Sequence, residues 1–350
     1  VDAVLIEVKN KNNELDEKQI SDYAVISKAY GIKKLLTISN QFVSFPTQSP
    51  ISVKIPKSVS LYHLSWSYIL TIARILLIDN DDNISDRDQV EIMREVVDYF
   101  ETQKSGVVGF KQMKHGWTEV VQKMNAGASL KLNDKSVDET VSSWLEEERD
   151  MALILSRELG LLVRSGQKMY KKNLLARINN EKRQLISNKN LESILQIDGV
   201  ASDITVQPNF GNKNIAMFVT LGSPQDRKVR SQITWLKNQI KFCVKKNPEL
   251  FSNIEKELMI DINIKFTKKP MRIPLSELEY VYEKLGSKEI KSFSIVQIKY
   301  LGRKFESRQL FVKIIEGMLI QYYQSIVQHL KKWEKPVPQI PSKDAEMDTI

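Results

Sequence analysis

The chain is predicted to be a mixed α/β protein, and three observations predict it. A short apolar run at the start is followed by an amphipathic stretch and a second apolar run. Residues 46–200 carry mainly helical periodicity, and from 201 strands and helices alternate again. We therefore expect part of an α/β core at 1–45, a mainly helical region at 46–200, a basic α/β domain at 201–334 and a disordered tail at 335–350. At 350 residues and 42% hydrophobic, the chain can build two or three domains with cores of their own.

The first element is VDAVLIEVK, residues 1–9. Ala3, Val4, Leu5 and Ile6 form an uninterrupted apolar run, the pattern of a strand covered on both faces. Glu7 and Lys9 are the first charges after it. Residues two apart in a strand share a face, with Cα atoms roughly 6.5 Å apart, so the two side chains converge. A carboxylate at a strand end suits Mg²⁺ (or Mn²⁺), and a neighbouring amine can orient or deprotonate a metal-bound water. Residues 15–30 then place Ile20, Tyr23, Ala24, Ile26 and Ala29 at helical spacing. Gln19 and Tyr23, four apart, lie on one face of that helix. Residues 34–39, KLLTIS, give a second strand, and strand, helix and strand make a parallel, right-handed βαβ unit.

The order of acid, any residue and lysine also occurs at Asp16 to Lys18, Asp226 to Lys228 and Glu289 to Lys291. Context sets Glu7 and Lys9 apart: an apolar strand before them, Gln19 and Tyr23 on the next helix, and another strand after it. In that context the segment resembles the second half of the PD-(D/E)XK nuclease motif, and Gln19 and Tyr23 match the Gln-x-x-x-Tyr pair of many superfamily members. The competing reading is a plain βαβ edge with solvated charges. The resemblance implies metal-dependent hydrolysis of phosphodiester bonds, in DNA rather than RNA, in restriction, phage defence or repair. It assigns Glu7 to the metal, Lys9 to the attacking water and the developing negative charge, and Gln19 and Tyr23 to support of the site or contact with phosphate. The superfamily core opens with a further helix and a strand whose aspartate completes the metal site, which is expected here in sequence upstream of Val1. Asp2 is the one acid before Glu7, but an odd separation puts the two on opposite faces of a strand.

Net charge is +9, from 52 Lys and Arg against 43 Asp and Glu, which favours an anionic partner such as nucleic acid. Two basic groups are candidate contacts. One is the run at 164–172, with Tyr170 beside Lys171 and Lys172. The other is Arg230, Lys237, Lys241 and Lys245, on one side of a helix expected at 229–244, with Ile233, Leu236, Ile240 and Val244 on the apolar side. For both groups a solvated helix face is the competing reading.

In the helical region, 61–78 is expected as one helix and a second is expected to start at Ser85 as its cap. The acidic turn at 79–83 lacks the glycine and the closing glutamate of a calcium-binding loop. Trp117 and residues 123–135 read as a junction, and 137–161 as a charged amphipathic helix. Further on, 204–206 and 215–221 read as a hairpin, 258–266 and 293–300 as strands, and 274–285 and 307–333 as helices.

No stretch reaches the 20 or so apolar residues that cross a bilayer, and the single Cys243 fits a reducing, cytoplasmic setting. His63, His115 and His329 are scattered without zinc spacing and read as packed or surface residues. No phosphate-binding loop occurs. Two other functions stay open: a nucleic-acid-binding protein that keeps a nuclease fold without its chemistry, and a protein-interaction scaffold. Oligomerisation is compatible with either.

Overall fold

Strands β1 (Val4–Val8), β2 (Lys34–Ser39) and β3 (Ser60–Ser65) form a parallel sheet in that order, with α1 (Glu17–Ala29) linking the first two. The computed structural model describes residues 3–10, 13–43, 46–77, 86–107, 109–166, 173–286 and 288–335. Helix α1 begins where the Asp16 carboxylate accepts a hydrogen bond from Gln19 N, a side-chain cap that supplies an otherwise unpaired amide. Its apolar side, Ile20 and Ala24, packs with Leu15, Leu35 and Val59 in a small core that Leu5, Tyr23 and Leu61 border.

From β3 the chain runs into α2 (Trp66–Leu77) and α3 (Arg87–Glu101), then α4 (His115–Asn125) and α5 (Lys135–Leu159). Strand β4 (Arg164–Ser165), α6 (Leu174–Asn188), β5 (Ser193–Gln196), β6 (Ile204–Asn209) and β7 (Asn214–Gly222) follow. The last part holds α7 (Val229–Lys246), α8 (Pro248–Ile254), β8 (Leu258–Ile264), β9 (Met271–Pro274), α9 (Val281–Leu285), β10 (Ile290–Tyr300) and α10 (Arg308–Ser325). Seven of these strands make one antiparallel sheet, in the order β4-β5-β6-β7-β10-β8-β9. Parallel and antiparallel sheets with helices between them are the mixed α/β class that the periodicities predict.

The large core runs from Met113 to Leu330 and buries the inward residues of the long sheet against helices that include α4, α5, α7 and α10. At its centre Trp117 sits among Phe210, Phe305 and Phe311, with ring centroids 4.3–5.4 Å away, and its indole N–H donates to Phe305 O at 2.8 Å. Aromatic rings at such separations add to area burial, and the bonded indole leaves no polar cost. Helix α4 approaches α5 at Gly116, where a Cβ would stand 2.4 Å from Ser136 O.

The three-stranded unit is tied to the rest through α5 and the segment before α4. Arg149 donates to Val43 O at 3.0 Å, and Asn40 Nδ2 donates to Gly106 O at 2.6 Å. The Asp150 carboxylate accepts from Phe110 N at 2.8 Å and from Ser67 Oγ at 3.4 Å.

Several elements differ from the sequence reading. Strand β1 is covered on one face only: Val4, Ile6 and Val8 are 44%, 51% and 48% exposed, because β1 is an edge strand and α1 covers just the side of Leu5. Residues 60–65 are a strand and not the start of a helix, since pairing with β2 satisfies their backbone before α2 begins at Trp66. Trp117 belongs to a helix and to the core, not to a junction. The region expected to be mainly helical also holds β4 and β5, which extend the long sheet. Residues 274–285 give a strand end, a 3-10 turn and the short α9 instead of one helix. The last helix starts as expected, with Ser307 Oγ accepting from Leu310 N, but ends at Ser325. Helix α3 is capped by Asp86, while Ser85 and the acidic turn before it lie outside the described residues.

Candidate functional site at the first parallel strand

Glu7, Lys9, Gln19 and Tyr23 form one continuous chain of contacts. Lys9 Nζ lies 3.0 Å from Glu7 Oε1 and donates to Gln19 Oε1 at 2.8 Å, and Gln19 Nε2 donates to Tyr23 Oη at 3.1 Å. The local sequence explains this. Alternation along β1 puts Glu7 and Lys9 on the side that α1 covers, and a four-residue step along α1 stacks Gln19 and Tyr23 one turn apart. Side-chain exposure is 13% for Glu7 and 23% for Lys9, so the pair is recessed yet open to solvent. The end of β1 is pinned as well: Lys9 N donates to Ile38 O at 2.8 Å, and the Trp66 indole donates to Lys9 O at 2.9 Å.

Register adds two residues that sequence reasoning missed. Glu7 stands opposite Thr37 of β2, and Thr37 stands opposite His63 of β3, so the three form a polar row across the parallel strands. Thr37 and His63 are buried. His63 Nε2 lies 2.7 Å from Gln41 O, and a carbonyl only accepts, so Nε2 carries the hydrogen. Nδ1 is then the acceptor, and Thr37 Oγ1, 2.9 Å from it and 3.1 Å from Tyr62 O, shares its one hydrogen between the ring and that carbonyl. Burial holds the imidazole below its ordinary pKa, with the Gln41 hydrogen bond opposing and the Arg149 charge adding to the depression. His63 is thus a neutral, doubly bonded ring that braces the row. The one signal in the sequence is Thr37 and Ser39 alternating with Leu36 and Ile38, which marks a polar stripe on an otherwise apolar strand.

Next to this row opens a cleft of about 1050 Å³. Asn13 and Glu14, after β1, Asn40 and Gln41, after β2, and Lys111, Lys114 and Glu146 are among the residues that line it. Clefts beyond the carboxyl ends of parallel strands are where open α/β sheets bind ligands. Glu7, Lys9, Gln19 and Tyr23 do not line it; they stand on the strand and helix next to the loops that do.

As a donor set for a divalent cation, the site offers the Glu7 carboxylate. Among the described residues no group of three or more His, Cys, Asp or Glu side chains comes together for a metal. Mg²⁺ keeps several waters and is commonly held by one or two carboxylates plus substrate phosphates, so Glu7 fits as a single protein anchor and not as a closed cage. Asp2 lies outside the described residues.

The basic candidates fare differently. Lys171, Lys172 and Tyr170 lie outside the described residues. Downstream of them, Arg177 is buried, pairing with Glu148 at 2.9 Å and Glu181 at 3.2 Å, and Lys182 pairs with Asp138. On α7, Arg230 lies over the Tyr282 ring at 5.4 Å and Lys237 pairs with Glu279 at 2.7 Å, while Lys241 and Lys245 are exposed. Val244, expected on the apolar side, is exposed, and Cys243 beside it is in the core instead.

The expected charged helix at 137–161 proves to be a buried one. Glu146, Glu147, Glu148 and Asp150 on α5 are all buried. Burial raises all four carboxyls, Asp150 to about 6 and Glu147 well above the usual range, the latter helped by Glu316 and Asp150. No helix among the described residues is long and apolar enough to cross a membrane. No family model, curated protein or solved structure matches the chain.

Proposed function

We propose that the chain carries the Glu–x–Lys half of a metal-dependent nuclease site and hydrolyses phosphodiester bonds, with DNA as the favoured substrate. The single observation that carries this reading is the linked set Glu7–Lys9–Gln19–Tyr23 at the end of a parallel strand. A divalent cation would supply Lewis-acid polarisation of the phosphate and a more acidic bound water. Glu7 would hold that ion. Lys9, positioned by Glu7 and Gln19, donates hydrogen bonds to the attacking water and offsets negative charge growing on the phosphoryl oxygens. The water oxygen gives up a proton to solvent and forms the new bond to phosphorus, the P–O bond to the leaving sugar oxygen breaks, and that oxygen takes up a proton from solvent. Asn40 and Gln41 offer the adjacent cleft hydrogen-bond donors for a phosphate backbone and Lys111 a positive charge, while Lys114 is paired there with Glu146.

One observation favours a second reading. Glu7 and Lys9 neutralise one another in a 3.0 Å pair, as in a nuclease fold that binds nucleic acid without cutting it. Plasmid and labelled single and double strands, incubated with Mg²⁺ or Mn²⁺ against EDTA, separate the two. Metal-dependent cutting that Glu7→Gln and Lys9→Met each abolish supports the nuclease. Salt-sensitive binding without turnover, by this chain and by one extended upstream, supports the binder, and neither cutting nor binding leaves the scaffold.

A further inference from the structure

The long antiparallel sheet carries helices on one face, and its other face does not have the composition of an ordinary solvated sheet. Strands favour β-branched and aromatic residues and are depleted in Asn and Asp. Yet Gln207, Asp261 and Asn263 stand on this side, with Asn209 and Asn214 at the turn that joins β6 to β7, and together they line a depression of about 540 Å³. Local preference overridden at Asp261 and Asn263, inside β8, marks a surface kept for something other than folding. The side chains are also held in place. Asn263 Nδ2 donates to Ser294 Oγ at 3.3 Å, the Ser294 and Thr220 hydroxyls are 2.9 Å apart, and Arg272 grips Asp261 through two hydrogen bonds of 2.6 Å. That grip neutralises the one acid lining the depression, while Lys291 adds a positive charge to it. Phe218, half-buried, lies in the same surface, on the side of β7 opposite the core residues Met217 and Val219.

An independent observation lies at the rim. In the turn between β8 and β9, Phe266 is fully exposed, and its backbone is left-handed, at φ +62°. A bulky residue with positive φ is an outlier, and such strain collects at functional sites. Lys265, Lys268 and Lys269 flank it, and its neighbour Thr267 lines the depression.

We propose that this face is a platform for single-stranded nucleic acid. Bases stack on Phe218 and Phe266, the amides meet base edges, and Lys268, Lys269 and Lys291 take phosphates. The five strands from β6 to β9 span about 19 Å, room for a few nucleotides. Unstacked bases can reach recessed amides and rings that a paired duplex cannot. The proposal is independent of the reading of Glu7 and Lys9, because binding here requires no metal and no cleavage.

The test is fluorescence anisotropy with labelled oligonucleotides, single-stranded and duplex, in EDTA and with Glu7→Gln as the background, so the probe stays intact whether or not the chain cuts. Phe266→Gly and Lys291→Gln alter exposed side chains and leave thermal unfolding unchanged or improved. Each is expected to weaken single-strand binding about tenfold, whereas Lys241→Gln and Lys245→Gln, on the helical side, change it less than about twofold. Photocrosslinking of an iododeoxyuridine-containing strand to the unsubstituted sheet face is expected to map to peptides holding Phe218 or Phe266. Absence of saturable single-strand binding overturns the proposal. So does loss of binding through the α7 variants alone, or selective binding of anionic lipid vesicles through Phe266.

Discussion

Lys9 and Gln19, ten residues apart, meet at 2.8 Å where the first strand faces the first helix, and this one hydrogen bond fixes the direction of the ammonium. Gln19→Ala leaves the Glu7–Lys9 pair but frees the amine to swing. We expect a stability loss of about 1 kcal/mol for a part-buried hydrogen bond. If the chain cuts nucleic acid, turnover should fall about 10- to 100-fold with KM little changed, as for residues that orient a reactive group. Kinetics of Gln19→Ala beside Tyr23→Phe check this. An equal loss in both would place the effect in packing and not in the aim of Lys9.

Buried carboxyls on α5 and its neighbours make the fold sensitive to alkaline pH. Burial raises Asp150 to about 6, and Glu181 and Glu316 to about 7. The native state therefore holds protons that the unfolded chain releases near pH 4. The stabilisation is complete below that pH and is lost as pH rises through 6 to 7. For Asp150 alone a shift of this size corresponds to about 3 kcal/mol. His63 acts in the opposite sense: its depressed pKa costs stability once pH falls below about 6.5. The carboxyls outnumber it, so denaturant midpoints should fall from pH 5.5 to pH 8. Glu147, whose carboxyl oxygens have no hydrogen-bond partner among the described residues, should account for part of that fall, and Glu147→Gln should flatten the profile. A midpoint that rises over this range would refute the assignment.

The strand, helix and strand of the first unit were legible because alternation and helical spacing are local properties, and the same spacings brought Glu7, Lys9, Gln19 and Tyr23 together. What could not be read depends on partners distant in sequence. The row through Thr37 and His63 exists only once β2 and β3 are in register. Residues 60–65 run without a break into the apolar α2, so nothing in the sequence marks where strand gives way to helix. Glu146 and Glu148 look solvated until Lys114 and Arg177 are placed against them. Likewise, the open face of the long sheet takes its residues from five strands, and no window along the chain holds enough of them to stand out.

Arg177 is 2% exposed and sits between Glu148 and Glu181, with Ser193 Oγ donating to the same Glu148 oxygen at 2.6 Å. Arg177→Met strands two buried carboxylates, and breaking a buried pair from one side costs about 3–5 kcal/mol. The loss should shrink at pH 5.5, where both acids can take up protons. Arg177→Met combined with Glu148→Gln should recover part of the stability at pH 8. Additive losses in the double variant, measured by urea unfolding, would mean that the three side chains do not act as a unit.

Gly116 allows α4 to lie against α5. A methyl group there meets the Ser136 backbone oxygen at 2.4 Å, and the Ser136 Cα at 2.9 Å, so relief requires moving a helix. The same contact orders the Gly116 N–H bond to Glu139 Oε2 at 2.9 Å. Gly116→Ala should destabilise by about 1–3 kcal/mol or more through overpacking, despite the better helix propensity of alanine. A more stable Gly116→Ala protein would show that the helices can part without cost.

Phe266 is the opposite case. Its ring is fully exposed and has no packing to lose, while its φ of +62° imposes a cost that glycine does not pay. A left-handed backbone costs a non-glycine residue about 1–2 kcal/mol, and glycine returns about half of that through the greater freedom of the unfolded chain. Phe266→Gly should therefore raise stability by roughly 0.5–1 kcal/mol, whereas Phe266→Ala, with φ still positive, should leave it nearly unchanged. Unfolding curves of the two variants in urea check the difference. A clear loss of stability in Phe266→Gly would mean that the ring packs against the protein in solution, and that its exposure is not available to a partner.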